Sequence, residues 1–331
     1  GLYALLKDLL SAQKHYDWGL RAVKSVLRVA GGMLRAEPEL DEAAILMRAL
    51  RDSNTAKIIQ EDEPIFFGLL GDLFPGINPP RKIDPDLVAS IREACVNLKL
   101  WPDTDFVDRC MQLDELLSIR HCVFLLGPPG CGRTEVIRAL AGANGVQGRR
   151  TKIEYVNPKA LSPQELYGYI TAATREWRDG MLSNIMRTLG LIPNEDPKWI
   201  ALDGDLDTIW IESMNSVMDM NKTLTLASNE RIPLKPHMRM LFEMRDLAHA
   251  SLATVTRAGV LYISDDRGHQ WRAKLKNWIK NRPENDLVKR VLGRLAEKYV
   301  PNTLMYIRKF LTHMVPISVM AMVSSVLNLM D

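Results

Sequence analysis

Gly127-Pro-Pro-Gly-Cys-Gly-Arg-Thr134 decides how this chain is read. It follows the apolar run His121-Cys-Val-Phe-Leu-Leu126 and leads into Glu135-Val-Ile-Arg-Ala-Leu140, which contains no helix breaker. Strand, glycine-rich loop and helix in that order give context to a phosphate-binding loop of the pattern G-x-x-x-x-G-K-[ST]. Gly127, Pro128, Pro129, Gly130, Cys131, Gly132, Arg133, Thr134 and Glu135 are its candidate residues. The glycines let backbone N–H groups close around a polyphosphate at the positive end of the helix. Thr134 offers a hydroxyl to Mg²⁺. Arg133 stands where the pattern has Lys, keeping the charge but replacing a compact point charge with a longer planar fork. The loop is expected to bind nucleotide and to be poorly fitted for chemistry. The bland alternative is a turn that binds nothing.

The chain has 331 residues, which suggests two or three structural units. Its apolar fraction of 47% and charged fraction of 25% are those of a globular protein with a large core. A net charge of +3 argues for neither nucleic acid nor a membrane surface. Cys95, Cys110, Cys122 and Cys131 form no C-x-x-C pair, so zinc-site spacing is absent and free thiols in a reducing compartment are expected. The least polar run, Val315 to Met330, contains Pro316 and is shorter than the ~18–20 residues that span a bilayer. It reads as a packed helix. Gly1 already lies in a helical pattern with no initiator Met or signal peptide, which suggests a piece of a longer chain.

Residues 1 to about 55 read as helices, the first capped at Asp17 and stopped at Gly31-Gly32, the second running from Leu40 to Leu50. Pro64 to Pro85 has linker punctuation. Helices are expected at Asp84–Leu100 and Val107–Ile119. After the loop, strands are expected at Thr151–Val156, Lys198–Leu202, Lys222–Leu226 and Gly259–Ser264, with helices around Ser162–Thr174, Asp207–Met220 and Met238–Leu247. Alternating strand and helix argue a five-stranded parallel sheet between helices, an α/β fold. Ser264-Asp-Asp-Arg-Gly268 ends that unit, and from Trp271 the chain reads as helical, broken at Pro283, Pro301 and Pro316.

Trp199-Ile-Ala-Leu-Asp203 is an apolar strand ending in an acid, the pattern that places a Mg²⁺-holding Asp beside a phosphate loop. The position after it, where an active ATPase of this type has a water-orienting Glu, is Gly204. Thr225-Leu-Ala-Ser-Asn229 is read as another strand ending in a polar group that could reach a γ-phosphate. The commoner role for such an Asn is to stabilise a loop. Arg257 lies just before the last strand, where its plain reading is an exposed Arg.

The order phosphate loop, acid-terminated strand, polar strand end, Arg before the last strand and helical lid resembles an AAA+ module. Asn157-Pro-Lys-Ala160, Glu165-Leu-Tyr-Gly168, Thr174-Arg-Glu-Trp177, Trp199-Ile-Ala-Leu-Asp-Gly-Asp205, Trp210-Ile-Glu-Ser213, Leu224-Thr-Leu-Ala-Ser-Asn-Glu-Arg231 and Thr256-Arg-Ala-Gly259 resemble the second AAA+ module of a dynein heavy chain. His15-Tyr-Asp-Trp-Gly-Leu-Arg-Ala-Val-Lys-Ser-Val-Leu27 resembles the lid that closes the first. The wording is closer to axonemal than to cytoplasmic dyneins.

The resemblance implies a helical lid of the preceding module over 1–58, an α/β large subdomain over 59–268 and a lid subdomain over 269–331. It implies ATP or ADP with Mg²⁺ on Thr134 and Asp203, Asn229 as the sensor ending the fourth core strand, and Arg308 as a weaker lid candidate. It makes Arg257 an arginine finger and Arg21 a lid sensor, both serving the preceding module's site. Tyr167 to Ser183 would be a hairpin insertion facing the linker element. The implied partners are neighbouring modules and the linker of the same heavy chain, other dynein chains and, indirectly, microtubules, with no nucleic acid or membrane. The implied setting is the cytoskeleton of a cilium or flagellum. A module lacking Glu at position 204 is expected to hold nucleotide without efficient hydrolysis. The rival reading is a self-sufficient AAA+ ATPase that remodels protein or nucleic acid. A third is a structural module with an empty pocket.

Overall fold

The computed structural model describes residues 1–81, 83–264, 268–312, 314–315 and 317–331. Its strands are β1 (Cys122–Leu126), β2 (Lys152–Val156), β3 (Gly168–Ile170), β4 (Trp177–Asp179), β5 (Lys198–Asp203), β6 (Thr223–Thr225), β7 (Arg231–Pro233), β8 (Met238–Met244) and β9 (Gly259–Tyr262). Five of these form one parallel sheet in the order β2-β5-β8-β1-β9. The pairs β3–β4 and β6–β7 are antiparallel hairpins outside it.

The central strands are buried on both faces, so β1 reads as an unbroken apolar run and β8 as one interrupted by Arg239 and Glu243. Successive side chains enter opposite cores. Phe124, Ile200, Leu202 and Phe242 pack with Leu182, Met186 and Trp210 on one face. Val123, Leu125, Leu241 and Leu261 pack with Ile91, Leu113, Ile137 and Leu140 on the other. Helix Arg133–Val146 follows the phosphate loop and lies on the second face.

Six helices precede the sheet: Leu2–Leu9, Leu20–Ala36, Glu42–Thr55, Glu63–Leu73, Pro85–Asn97 and Thr104–Ile119, the last two packing on its second face. Leu6, Leu10, Tyr16, Ile58, Phe66 and Leu70 form a separate core that joins Leu2–Leu9 to Glu63–Leu73, with Leu50 of Glu42–Thr55 packed against it. At the other end, His269–Lys280, Asp286–Phe310 and Val319–Met330 form a small lid around Trp271, Leu275, Val323 and Leu327. No described helix is long and apolar enough to cross a membrane.

Several expected elements differ. Met238–Leu247 is not a helix. Its Met, Leu and Glu residues favour helix locally, but burial between two strands overrides that weak preference. Lys222–Leu226 contributes only the hairpin strand β6 and no core strand. Of Ser162–Thr174, only Pro163–Tyr167 is α-helical, and the chain then turns into the β3–β4 hairpin inside the expected insertion.

Gly31-Gly32 does not stop its helix, which runs on to Ala36 beside helix Glu42–Thr55. Pro64 is no linker mark, because it sits in the first turn of helix Glu63–Leu73, where a missing N–H costs nothing. Pro301 lies inside the unbroken helix Asp286–Phe310, none of whose residues is buried, so water can reach the carbonyl it orphans. The expected break at Pro316 and the Asp265-Asp-Arg267 part of the expected unit end lie outside the described residues.

Candidate functional site

The phosphate loop closes between β1 and helix Arg133–Val146, with Gly132 as the helix N-cap. Gly127 leaves β1 at φ +154°, and a Cβ there would lie 2.4 Å from the carbonyl oxygen of Ile263, so only glycine fits. The Gly127 N–H donates to the carbonyl of Arg245 just past β8 (3.3 Å). Pro128 accepts from the Cys131 N–H (3.2 Å), and Pro129 is exposed. Cys131 is buried beneath the loop. Arg133 folds back inside the loop, one guanidinium N–H donating to the Gly127 carbonyl at 2.7 Å. Its planar fork braces the loop it should also charge.

Thr134 does not stand alone. Its hydroxyl donates to Glu243 Oε2 at 2.6 Å. Glu243 is 1% exposed on the central strand β8, in register with Asp203 on β5 and Leu125 on β1. Its second oxygen, Oε1, is buried without a hydrogen-bond partner among the described residues. Burial pushes the Glu243 carboxyl up, Thr134 holds it down, and Asp203 adds to the rise. Asp203 ends β5 as its one exposed residue, beside this pair. The set Thr134 hydroxyl, Asp203 carboxylate and half-satisfied Glu243 carboxylate is hard-oxygen chemistry that suits Mg²⁺. Gly204 leaves no easy room for a side chain, since a Cβ would meet Asn157 Oδ1 at 3.2 Å and Pro158 Cδ at 3.3 Å.

The loop opens into a cavity of about 790 Å³. Gly130 to Val136 form its floor, Thr55, Ile58 and Gln60 reach it from the N-terminal helices, and His269, Lys274, Asn277 and Met320 reach it from the lid. That volume lies in the range of small-ligand sites. At its rim His269 Nε2 stands 2.9 Å from Asp105 and Nδ1 3.7 Å from Asp103, linking the lid to the start of helix Thr104–Ile119.

A second cluster lies where the N-terminal helices meet the approach to β9. Arg257 Nε donates to Asp219 Oδ1 at 2.7 Å, and another of its N–H groups to the Ala253 carbonyl. Arg21 donates to Thr256 Oγ1 at 3.0 Å and stands 3.9 Å from the same Asp219 oxygen. The two arginines singled out by resemblance are thus neighbours. Arg257 is mostly covered and Arg21 about half exposed.

Other expected residues are elsewhere. Asn229 ends no core strand, because the strand beside β1 is β8. It occupies the β6–β7 turn, exposed, at φ +64°. Arg308 is exposed in the last turn of helix Asp286–Phe310 and does not line the cavity. Glu135 lines the cavity and pairs with Arg138 at 3.1 Å. Sequence reading missed Glu243 and Asp219. A Glu amid Met238-Arg-Met-Leu-Phe-Glu-Met244 is the available signal for the first, once that run is read as a buried strand.

Comparison with known proteins agrees with this geometry. The family described as the hydrolytic ATP binding site of dynein motor region matches residues 1–134. The AAA domain of the dynein-related subfamily matches residues 122–258. The dynein alpha chain of the flagellar outer arm from Chlamydomonas reinhardtii is 50% identical over the whole of this chain. Human dynein axonemal heavy chain 9 is 49% identical, and the ciliary dynein beta chain of Tripneustes gratilla 47%, again over the whole chain. The chain spans only 8%, 7% and 7% of the lengths of these relatives. Sheet order, phosphate loop and matched sequence agree, and the chain belongs to the dynein heavy chains, within their AAA+ motor region.

Proposed function

We propose that this chain serves two nucleotide sites of a dynein motor ring. Residues 1–58 are the lid of one AAA+ module, 59–268 the large subdomain of the next and 269–331 its lid. The chain's own loop, Gly127 to Glu135, holds ADP or ATP, with Thr134 and Asp203 toward Mg²⁺. Bound there, the ion would offset phosphate charge. Gly204 cannot orient water, and Arg133 is committed in part to the Gly127 carbonyl. The pocket therefore keeps its nucleotide without efficient turnover.

Arg257 and Arg21 serve the preceding module's site instead, as finger and lid sensor. The observation that carries this is their meeting at Asp219, since residues from the first helices and from the approach to β9 arrive at one carboxylate oxygen. Two neighbouring guanidiniums, one half exposed and one mostly covered, suit the charge that builds on a phosphoryl group as it leaves. The names of the relatives support an axonemal setting; movement on microtubules, with other modules and the linker of the same heavy chain as partners, rests on the resemblance to dynein heavy chains.

In a complete heavy chain, Arg257→Ala should lower microtubule-stimulated ATPase by about 10³–10⁵-fold. Nucleotide at the chain's own loop should remain. Near-normal ATPase would remove the finger assignment. Steady ATP turnover by the 331-residue chain alone, lost in Asp203→Ala, would favour a self-sufficient ATPase.

A further inference from the structure

Glu243 stands in the oxygen set beside Thr134 and Asp203, but what its carboxylate does there has not been assigned. It is the only acidic residue of β8, the strand at the centre of the sheet, and it is 1% exposed. One oxygen accepts the Thr134 hydroxyl at 2.6 Å, while the other is buried with no partner among the described residues. A buried oxygen left unpaired is destabilising, and a methionine or leucine would fill the same strand position without that penalty. The neighbours limit what can complete it. Thr134 belongs to the phosphate loop, and Asp203 lies directly across on β5.

A threonine hydroxyl has one proton and two lone pairs. While its proton goes to Glu243, its lone pairs stay free to face a cation. Glu243 Oε2 thus fixes the hydroxyl rotor, and Oε1 is left to accept from a water bound to that cation. We propose that Glu243 is a positioning residue for a divalent cation at the phosphate loop, acting through Thr134 and through a cation-bound water, so that nucleotide retention here depends on Mg²⁺. This rests on the reading that the loop binds nucleotide.

The test measures ADP affinity of the full 331-residue chain in excess Mg²⁺ and in EDTA, by calorimetry, for wild type and Glu243→Gln. Glutamine keeps the shape but turns an N–H donor toward one of the two partners. The wild-type chain should bind ADP more tightly with Mg²⁺. Glu243→Gln should lose about tenfold or more of that Mg²⁺-dependent gain. Its affinity in EDTA should stay within twofold of wild type. Mn²⁺ titration followed by water-proton relaxation should show the same weakening.

A purely structural Glu243 would lower both affinities together or neither, and an unchanged ratio overturns the proposal. Should the glutamine variant not fold, Glu243→Asp, which withdraws the carboxylate by one methylene, is measured in the same way with the same expected direction. Wild-type chain that binds no ADP in either buffer would overturn the nucleotide reading, and this one with it. Binding with a Mg²⁺ gain that Glu243→Gln leaves intact would overturn this one alone.

Discussion

Acid should loosen the joint between the N-terminal helices and the sheet, and His15 should account for much of the effect. The ring is 6% exposed and stacks on Tyr262 of β9, with centroids 5.3 Å apart and planes 5° from parallel. Its Nε2 lies 3.0 Å from the Lys57 carbonyl, so that nitrogen carries the proton in the neutral ring. Burial pushes the imidazole down from 6.5 to about 4. The Lys57 carbonyl and Asp62 pull it up, and the Lys57 ammonium pushes it down further. Lys57 is itself lowered to about 7 by burial, although it donates to the Asp17 carbonyl. Tyr16 packs edge-on against the ring.

The sign follows from which state holds more protons. Between pH 4 and pH 6.5 the unfolded chain carries the proton on His15 and the folded chain does not. Stability from this group is therefore present above about pH 6.5 and lost as pH falls toward 4. At 1.36 kcal/mol per pH unit the full effect is about 3 kcal/mol, and about 2.5 kcal/mol of it is gone by pH 4.5. Urea unfolding of wild type and His15→Gln at pH 7.5 and pH 4.5 measures it. Glutamine can still donate to the Lys57 carbonyl but does not titrate. The wild type should lose about 2 kcal/mol more than the variant over that interval. Equal losses would refute the reasoning and assign the acid sensitivity to the carboxylates.

Three further outcomes are expected. Gly204→Glu should not restore hydrolysis and should lower stability by about 1–3 kcal/mol, because its Cβ meets Asn157 and Pro158; a gain in ATPase at unchanged melting temperature would contradict the tight packing. Gly130→Ala should cost about 1–2 kcal/mol, since φ is +84° and the new methyl would lie 3.1 Å from Met320 Cβ of the lid; an unshifted thermal melt would count against that lid contact. Asn229→Gly should leave ADP affinity within about twofold, as the residue sits in an exposed hairpin turn at positive φ and glycine accepts that conformation; a tenfold loss would return Asn229 to the phosphates.

The parts legible in the sequence are those whose chemistry is local. A phosphate loop needs consecutive backbone N–H groups, so Gly127–Thr134 could be found from one stretch, and β1 and its helix came with it. Asp203 was legible because an apolar strand ends on it. Residues that act across strands were not. Glu243 meets Thr134 only through the register of β8 against β1, and β8 was itself obscured by its helix-forming Met and Leu residues. The same misreading displaced Asn229. Reading Met238–Leu247 as a helix leaves Lys222–Leu226 to stand as the fourth core strand. Asp219 gave no local signal, because its partners come from Arg21 and Arg257 in separate elements.

On the proposed reading the two sites share a wall, which would give a pocket reason to keep a nucleotide without turning it over. Arg257 precedes edge strand β9 by two residues, while the Ile263 carbonyl just beyond that strand abuts Gly127. One short strand thus runs from the arginine pair to the phosphate loop. Its outer edge is covered by the N-terminal helices, for the Tyr262 N–H donates to the Ala56 carbonyl at 2.8 Å and His15 lies on the Tyr262 ring. Those helices carry Arg21 to Thr256 and also bring Thr55, Ile58 and Gln60 to the cavity. Whatever fills the cavity therefore touches the body that holds Arg21 and the strand that follows Arg257. On the proposed reading, holding that wall calls for retention of a ligand and does not call for turnover. Arg133 and Gly204 suit that demand, since one braces the loop and the other packs against Asn157 and Pro158.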